Sequence, residues 1–305
     1  MTSGTSSSAG DHGAGSVTTH TTGPNPGTAP SPLPVPGESL TGTAATPAPS
    51  AVGLLEAALA VRDVSVGFGA KRVLSDIDLS FPARSITALI GPTGCGKSTL
   101  LRSFNRMNDK VRGYWRTGVI ELEGVEISGP DMDPLDLRRR VGMVFQRPNP
   151  FPMSIRDNVV AGVRAHRLAP RGELDGVAEH YLKEVGLWAA VADRMKDSPF
   201  RLSGGQQQLL CLARALAVQP DVLLLDEPTS SLDPVTTEMV ESLLRKLAAE
   251  LTMVIVTHNM AQAQRVAATT AFLYNGRLVE SGDTRQIFEA PNEPETVSYV
   301  SGRFG

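Results

Sequence analysis

The sequence predicts an α/β fold for residues 54–305, and two strand-like runs carry that prediction. Ile86–Ile90 is a short apolar run that leads into a glycine-rich loop and then into a helix-like segment from Thr99. Residues 222–225 are uniformly apolar, as expected for a strand buried on both faces of a parallel sheet. The roughly 250 residues around these runs suffice for one large α/β domain, or for a core domain with a helical insertion.

Residues 1–53 differ in composition from the rest of the chain. They are mostly Ser, Thr, Gly, Pro and Ala, with Asp11 and Glu38 as the acidic residues and no Lys or Arg. A segment with so few large apolar side chains cannot bury enough surface to offset the entropy lost on ordering. We predict a disordered tail, and not a secretory signal, because the basic start and apolar core of such signals are missing.

Charge and cysteine content exclude several classes of function. The net charge of -3 gives no basic surface for nucleic acid, so we expect no nucleic-acid partner. No apolar run approaches the ~18 residues that a membrane-spanning helix needs. The two cysteines, Cys95 and Cys211, form no CxxC pair, so neither a disulfide framework nor a zinc site is predicted, and a reducing cytoplasm is the expected setting.

The loop after the first strand has the pattern G-x-x-x-x-G-K-S in a strand–loop–helix context, which is typical of a phosphate-binding P-loop. Its glycines let backbone N–H groups surround a β-phosphate, while Lys97 reaches the β- and γ-phosphate oxygens and Ser98 offers a hydroxyl to Mg²⁺. The motif therefore predicts binding of a nucleoside triphosphate with Mg²⁺. The predicted nucleotide-binding residues are Gly91, Pro92, Thr93, Gly94, Cys95, Gly96, Lys97, Ser98 and Thr99.

Two adjacent carboxylates, Asp226 and Glu227, end the second strand. Neighbouring side chains of a strand point in opposite directions, so we expect Asp226 to face the Mg²⁺ shell and Glu227 to face the water that attacks the γ-phosphate. Small-molecule kinases, GTPases and mechanochemical ATPases all have a P-loop. The lack of an N-K-x-D guanine-reading motif weighs against a GTPase.

A further segment, RLSGGQQQLLCLARAL at 201–216, predicts a helix with an anion-binding N-terminus. Ser203 is a suitable N-cap, and the apolar residues recur at helical spacing. The adjacent glycines Gly204 and Gly205 let an anion approach the backbone N–H groups closely, and the helix dipole favours negative charge there.

Taken together, these motifs resemble those of the ABC ATPase family, in the family's order. The P-loop is similar to Walker A, Gln146 to the Q-loop glutamine and His258 to the switch histidine, while Phe68 stands where the family stacks an aromatic ring on adenine. Asp233 ends a D-loop-like SSLD. The family signature, LSGGQ, corresponds to Leu202, Ser203, Gly204, Gly205 and Gln206.

The resemblance implies a RecA-like core sheet, an antiparallel β subdomain and a helical insertion over roughly 148–198. It also implies ATP hydrolysis, with Glu227 and His258 as catalytic residues and Ser98, Gln146 and Asp226 around Mg²⁺. The family works as head-to-tail dimers in which the signature of one domain closes over the ATP held by the other. The chain has one P-loop and one LSGGQ, so we expect a homodimer.

Three stretches carry a narrower resemblance, to the ATP-binding subunits of bacterial phosphate importers: FNRMND (104–109), FQRPNPFPMSIRDNV (145–159) and YVSGRFG (299–305). The resemblance implies two membrane permease subunits and an extracellular phosphate-binding protein as partners, and a peripheral position at the cytoplasmic face of the membrane. Pro148, Pro150 and Pro152 keep the segment after Gln146 extended, as a stiff link to the membrane subunits requires.

Three alternatives are less compatible with the sequence: an ABC importer for another solute such as polar amino acids, a non-transport ABC ATPase acting on DNA or ribosomes, and a stand-alone P-loop kinase. The chain also departs from the family pattern at two positions. Leu209 replaces the usual arginine, and we expect this loss of a cation to alter the dimer interface. Ser231 replaces the commoner alanine of the D-loop.

Overall fold

The computed structural model describes residues 57–130, 132–230 and 232–303. The predicted tail over residues 1–53 and the substituted D-loop residue Ser231 lie outside the described residues. The strands are β1 (Ala57–Phe68), β2 (Lys71–Pro82), β3 (Ile86–Ile90), β4 (Tyr114–Leu122), β5 (Val125–Glu126), β6 (Val141–Val144), β7 (Val222–Asp226), β8 (Thr252–Val256), β9 (Thr269–Tyr274) and β10 (Arg277–Asp283). The helices are α1 (Lys97–Ser103), α2 (Pro134–Arg140), α3 (Ile155–Ala165), α4 (Leu174–Glu184), α5 (Trp188–Val191), α6 (Gly204–Leu216), α7 (Pro234–Leu247), α8 (Met260–Val266), α9 (Thr284–Glu289) and α10 (Pro294–Val300).

A six-stranded sheet with the order β10-β9-β3-β8-β7-β6 forms the centre of the described region. Strands β9, β3, β8, β7 and β6 run parallel, and β10 pairs antiparallel with β9 at one edge. Because β3, β8, β7 and β6 are consecutive and parallel, their carboxyl ends meet at one edge of the sheet. In open α/β sheets, ligands bind at that edge.

Side chains of the central strands alternate between two hydrophobic cores. Leu223 and Leu225 face the core built with helices α3, α4, α6 and α7, while Val222 and Leu224 face the other. The second core is closed by α1 and by the antiparallel sheet, in which β2, β1, β4 and β5 follow one another. The uniformly apolar run at 222–225 is thus explained by burial on both faces, and the predicted α/β fold is confirmed.

Helices α3, α4 and α5 lie between β6 and β7 in the chain, within the predicted helical insertion. Helix α3 begins at an N-cap, Ser154, whose hydroxyl accepts a hydrogen bond from the N–H of Asp157 at 3.0 Å. Its apolar face, with Val159 and Val163, is buried against α4 and α6. The limits of 148–198 for this insertion remain a prediction. Among the described residues, no helix is both long enough and apolar enough to cross a membrane.

An ion pair between a buried carboxylate and a half-exposed arginine joins α7 to α8. Glu241 is 2% exposed and accepts two hydrogen bonds from Arg265, at 2.8 and 2.7 Å, and one from Gln262 at 3.2 Å. Gln262 also donates to Oγ1 of Thr229 at 2.7 Å, two residues after Glu227. The bonds from Arg265 hold the pKa of Glu241 below its ordinary value, against the opposing effect of burial.

Replacing Glu241 by glutamine is expected to lower the free energy of unfolding by about 1–3 kcal/mol at neutral pH, because a buried network loses its charged acceptor. A carboxyl with a lowered folded-state pKa contributes stability above its unfolded-state pKa, and loses it as the pH falls through the folded-state value. The difference between wild type and Glu241→Gln should therefore shrink below the ordinary glutamate pKa of 4.5. Urea unfolding at pH 7 and at steps below 4.5 measures this, with the exposed Glu250→Gln as control; a difference that stays constant in acid contradicts it.

Candidate nucleotide-binding and hydrolysis site

The glycine-rich loop between β3 and α1 requires glycine at two positions for steric reasons. Gly91 has a φ of 144°, and a Cβ added there would lie 2.1 Å from the carbonyl oxygen of Leu273 on β9. Gly96, the N-cap of α1, has a φ of 109°, and a Cβ there would lie 2.5 Å from Cδ2 of Leu74. The loop can therefore pack this closely against Leu273 and Leu74 only because glycine, which has no side chain, occupies both positions.

Lys97 is folded into the loop, with its ammonium group against the loop backbone. Its Nζ donates to the carbonyl oxygens of Gly91 at 2.7 Å and Pro92 at 2.8 Å, and lies 3.8 Å from Sγ of Cys95. The lysine is 7% exposed. These bonds place a positive charge inside the ring of backbone groups that the P-loop motif predicts for phosphates.

Asp226, the last residue of β7, is buried and bonded to two residues of α1. The hydroxyl of Ser98 donates to Oδ1 at 2.8 Å, and the guanidinium of Arg102 donates to Oδ2 at 3.1 Å. Ser98 and Arg102 stand four residues apart on one helix face, which lets both reach the same carboxylate. The contact with Arg102 is not among the sequence predictions, although its spacing from Ser98 was a signal for it.

Glu227 lies outside the strand, and its backbone takes a left-handed conformation with a φ of 47°. We expected strand alternation to point the side chains of Asp226 and Glu227 in opposite directions, but the strand ends at Asp226. A tight turn directs the side chain of Glu227 instead. Its Oε2 accepts a hydrogen bond from Nε2 of Gln146 at 2.8 Å and lies 3.1 Å from Nδ1 of His258. These residues follow β6, β7 and β8, so the parallel sheet brings all three together.

A cavity of about 530 Å³ lies where these elements meet. Val73 of β2 contributes an apolar wall that the sequence analysis missed. The predicted site residues in its lining are Thr93, Gly94, Gly96, Lys97, Ser98, Thr99, Gln146, Glu227 and His258.

Phe68, predicted to stack on adenine, does not line this cavity. It ends β1 and packs against Tyr114, with ring centroids 5.8 Å apart and ring planes inclined by 45°. Phe68 is half-buried at the end of this strand, which is an inner strand of the antiparallel sheet. Its role as an adenine platform stays a prediction.

The signature segment begins α6 with a reciprocal cap. Oγ of Ser203 accepts from the N–H of Gln206 at 3.3 Å, and Oε1 of Gln206 accepts from the N–H of Ser203 at 3.1 Å. This capping box explains why the helix begins where the sequence predicts. Gly204 is exposed and Gly205 half-buried, and no residue from 202 to 206 lines the P-loop cavity.

Asp233 lies at the start of α7, whereas Leu209 lies in the hydrophobic core. Asp233 caps α7 by accepting from the N–H of Thr236 at 3.0 Å and from its hydroxyl at 2.6 Å, and it does not line the cavity. Leu209 is 6% exposed and packs in the core beside α3 and α4. Whether the loss of the usual arginine at this position alters the dimer interface stays a prediction.

The proline-rich segment after Gln146 is fixed to α6 and α3 by side chains as well as by its prolines. Arg214 donates to the carbonyl oxygen of Asn149 at 3.0 Å and to its Oδ1 at 2.8 Å, and its guanidinium lies 4.2 Å from the ring centroid of Phe151. Asn158 accepts from the N–H of Phe151 at 2.7 Å and donates to its carbonyl oxygen at 3.1 Å. The segment is therefore anchored at Asn149 and Phe151, while its extended conformation stays a prediction.

The P-loop lies at the end of β3, and its Ser98 is bonded to the buried Asp226. Glu227 contacts both Gln146 and His258. This combination defines the domain as a P-loop nucleoside triphosphatase. The model of the family described as ABC transporter matches residues 74–230. Phosphate import ATP-binding protein PstB of Mycobacterium intracellulare is 63% identical over 239 residues, which are 78% of this chain and 84% of that protein. The chain belongs to the ABC transporter family, and within it to the PstB group of ATP-binding proteins.

Further relatives agree with this assignment. Phosphate import ATP-binding protein PstB 2 of Mycobacterium tuberculosis (strain ATCC 25618 / H37Rv) is 60% identical over 248 residues, covering 81% of this chain and 90% of that protein. Among solved structures, a bacterial Atm1-family ABC exporter with ATP bound is similar with a TM-score of 0.69 and 24% identity, over 83% of this chain and 43% of the exporter chain. That similarity shows the fold.

Proposed function

We propose that the chain hydrolyses ATP to drive the uptake of inorganic phosphate across the cytoplasmic membrane, as the ATP-binding subunit of an ABC importer. The observation that carries this proposal is the 60–63% identity to phosphate import ATP-binding proteins over 84–90% of their length. The aligned regions contain many more residues than the motifs shared by all ABC ATPases, which favours phosphate over another solute.

Glu227 is the proposed general base for hydrolysis. Among the described residues, the contacts from Gln146 and His258 both fall on Oε2, which leaves Oε1 to accept a proton from the attacking water. The carboxylate would polarise this water for in-line attack on the γ-phosphate. His258 and Lys97 would stabilise the negative charge that develops on the phosphate oxygens.

The residues around Asp226 fit a magnesium ion. The Ser98 hydroxyl, the Gln146 amide oxygen and the Asp226 carboxylate are hard oxygen donors of the kind that Mg²⁺ binds, alongside phosphate oxygens and water. When bound, the ion would neutralise charge on the β- and γ-phosphates. Arg102 balances the charge of Asp226 in the structure, and a cation at this carboxylate would compete with it.

A homodimer is the proposed working form. The chain has one P-loop and one signature, and the signature lies away from the cavity of its own P-loop. A helix N-terminus with two glycines suits the terminal phosphate of ATP held by a second copy. Two permease subunits and an extracellular phosphate-binding protein complete the proposed importer, which places this subunit at the cytoplasmic face of the membrane; no nucleic acid takes part.

Uptake of radiolabelled phosphate at low external phosphate tests the proposed function. Cells deleted for this gene should take up less phosphate than the parent strain, because the importer loses its energy source. Returning the wild-type gene to the deletion strain should restore phosphate uptake. Returning the Glu227→Gln variant should leave uptake at the level of the deletion strain.

Uptake of a polar amino acid in the same strains serves as the control, and should not respond to the deletion. If phosphate uptake is unchanged by the deletion in cells without a second phosphate importer, the phosphate assignment is wrong. A loss of amino-acid uptake instead would favour the alternative importer class.

A further inference from the structure

A buried glutamine on α6 bonds to both loops that carry the hydrolytic residues. Gln208 is 3% exposed, and its Nε2 donates to the carbonyl oxygen of Phe145 at 2.9 Å and to that of Pro228 at 3.2 Å. Phe145 directly precedes Gln146, and Pro228 directly follows Glu227. One side-chain amide thus spans the ends of β6 and β7.

These bonds form a closed ring with the catalytic contact. Gln146 donates to Glu227 at 2.8 Å on the cavity side, and Gln208 connects the backbones of the same two loops from the side of α6. The ring fixes the spacing between the loops at two points. A shift of either loop would therefore change the position of the Glu227 carboxylate.

The chemistry of the ring requires an amide at position 208. Both partners are carbonyl oxygens, so both hydrogens of the NH₂ group are needed as donors. A glutamate has the same shape but offers no donor when ionised, and a methionine has similar length but no N–H. The other end of the amide, Oε1, is buried and accepts no hydrogen bond within the described part of the chain. Burying an unpaired acceptor costs stability. Within the described part of the chain, the two hydrogen bonds from Nε2 are the ones that hold this amide in place.

We propose that Gln208 is a positioning residue for ATP hydrolysis, which holds Gln146 and Glu227 at catalytic spacing from the helix that begins at the signature. The proposal rests on the proposed ATPase function. It makes α6 a rigid connection between the signature at 202–206 and the catalytic glutamate of the same chain. A movement of α6 would therefore displace the loops that carry Gln146 and Glu227, because the amide of Gln208 is bonded to both.

Steady-state ATPase kinetics of the purified full-length chain test the proposal, with Gln208→Glu and Gln208→Met compared with wild type. A small misplacement of a catalytic group costs up to about 10²-fold in rate, so we expect kcat to fall roughly 10- to 100-fold in both variants. The affinity for ATP, measured in EDTA to prevent hydrolysis, should stay close to that of wild type, because the P-loop contacts are unchanged. Gln264→Glu, which adds the same charge on the exposed surface of α8, should match wild type in both measurements.

The number of ATP molecules bound per chain separates positioning from damage to the fold. A fall in kcat with full binding stoichiometry supports the proposal. A kcat that stays near the wild-type value, or a fall matched by an equal loss of ATP-binding sites, overturns it. Gln208→Met keeps the volume and apolar stem of the side chain, so it provides this comparison even where the buried charge of Gln208→Glu prevents folding. Wild-type protein that hydrolyses no ATP would instead overturn the proposed function, and this inference with it.

Discussion

Glu227→Gln is expected to bind ATP as tightly as wild type and to hydrolyse it at least ~10²-fold more slowly, the loss typical of removing one catalytic group. The amide has the size of the carboxylate but cannot accept a proton from water. It can still contact Gln146 and His258, whose atoms lie 2.8 and 3.1 Å from Oε2 of the native side chain. The change therefore removes the base and leaves the surrounding geometry in place.

Single-turnover hydrolysis and equilibrium ATP binding, both on the full chain, measure the two halves of this prediction. Glu250 is exposed and follows the end of α7 at Leu247. Glu250→Gln should therefore leave the hydrolysis rate and the ATP affinity unchanged. Turnover near the wild-type rate in Glu227→Gln would remove Glu227 from the role of general base, while reduced binding would show that it supports the nucleotide itself.

Lys97→Ala should weaken ATP binding by about 10- to 100-fold, because hydrogen bonds to charged groups contribute roughly 1.5–3 kcal/mol each. The native ammonium group lies within the loop, bonded to the carbonyl oxygens of Gly91 and Pro92. Alanine removes the positive charge that balances the phosphates, and it also leaves these two oxygens without their donor. Both losses already act on the bound ATP before hydrolysis, so the affinity for ATP is the quantity to measure.

Isothermal titration with ATP in EDTA compares Lys97→Ala with wild type and with the exposed Lys246→Ala. The surface substitution should bind normally. Unchanged affinity in Lys97→Ala would mean that the backbone groups of the loop provide the binding energy without the lysine.

Local patterns in the sequence predicted much of the architecture. The apolar runs at 86–90 and 222–225 became β3 and β7, and Ser203 caps α6 as its position before two glycines suggested. Each of these features depends on a few neighbouring residues, which is why sequence reasoning reaches them. The convergence of Gln146, Glu227 and His258 needed the order of family motifs, since the residues are far apart in the chain.

Features that depend on contacts between distant segments could not be read in this way. The turn that gives Glu227 a φ of 47° is set by the sheet edge, where its N–H bonds to the carbonyl oxygen of Val256 at 2.9 Å. In the sequence Gln208 is one more polar residue beside the signature, because its partners lie far along the chain, in the loops that follow β6 and β7.

The strand order has a consequence for synthesis on the ribosome. β3, which carries the P-loop, pairs with β8 and β9, and these follow it by more than half of the described chain. At about 5–20 residues per second, translation of the roughly 160 intervening residues takes on the order of 8–30 seconds. During that time both edges of β3 lack their native partners, and unpaired apolar strands are prone to aggregate. The arrangement that assembles the site at one sheet edge thus delays completion of that edge until β8 and β9 have been synthesised.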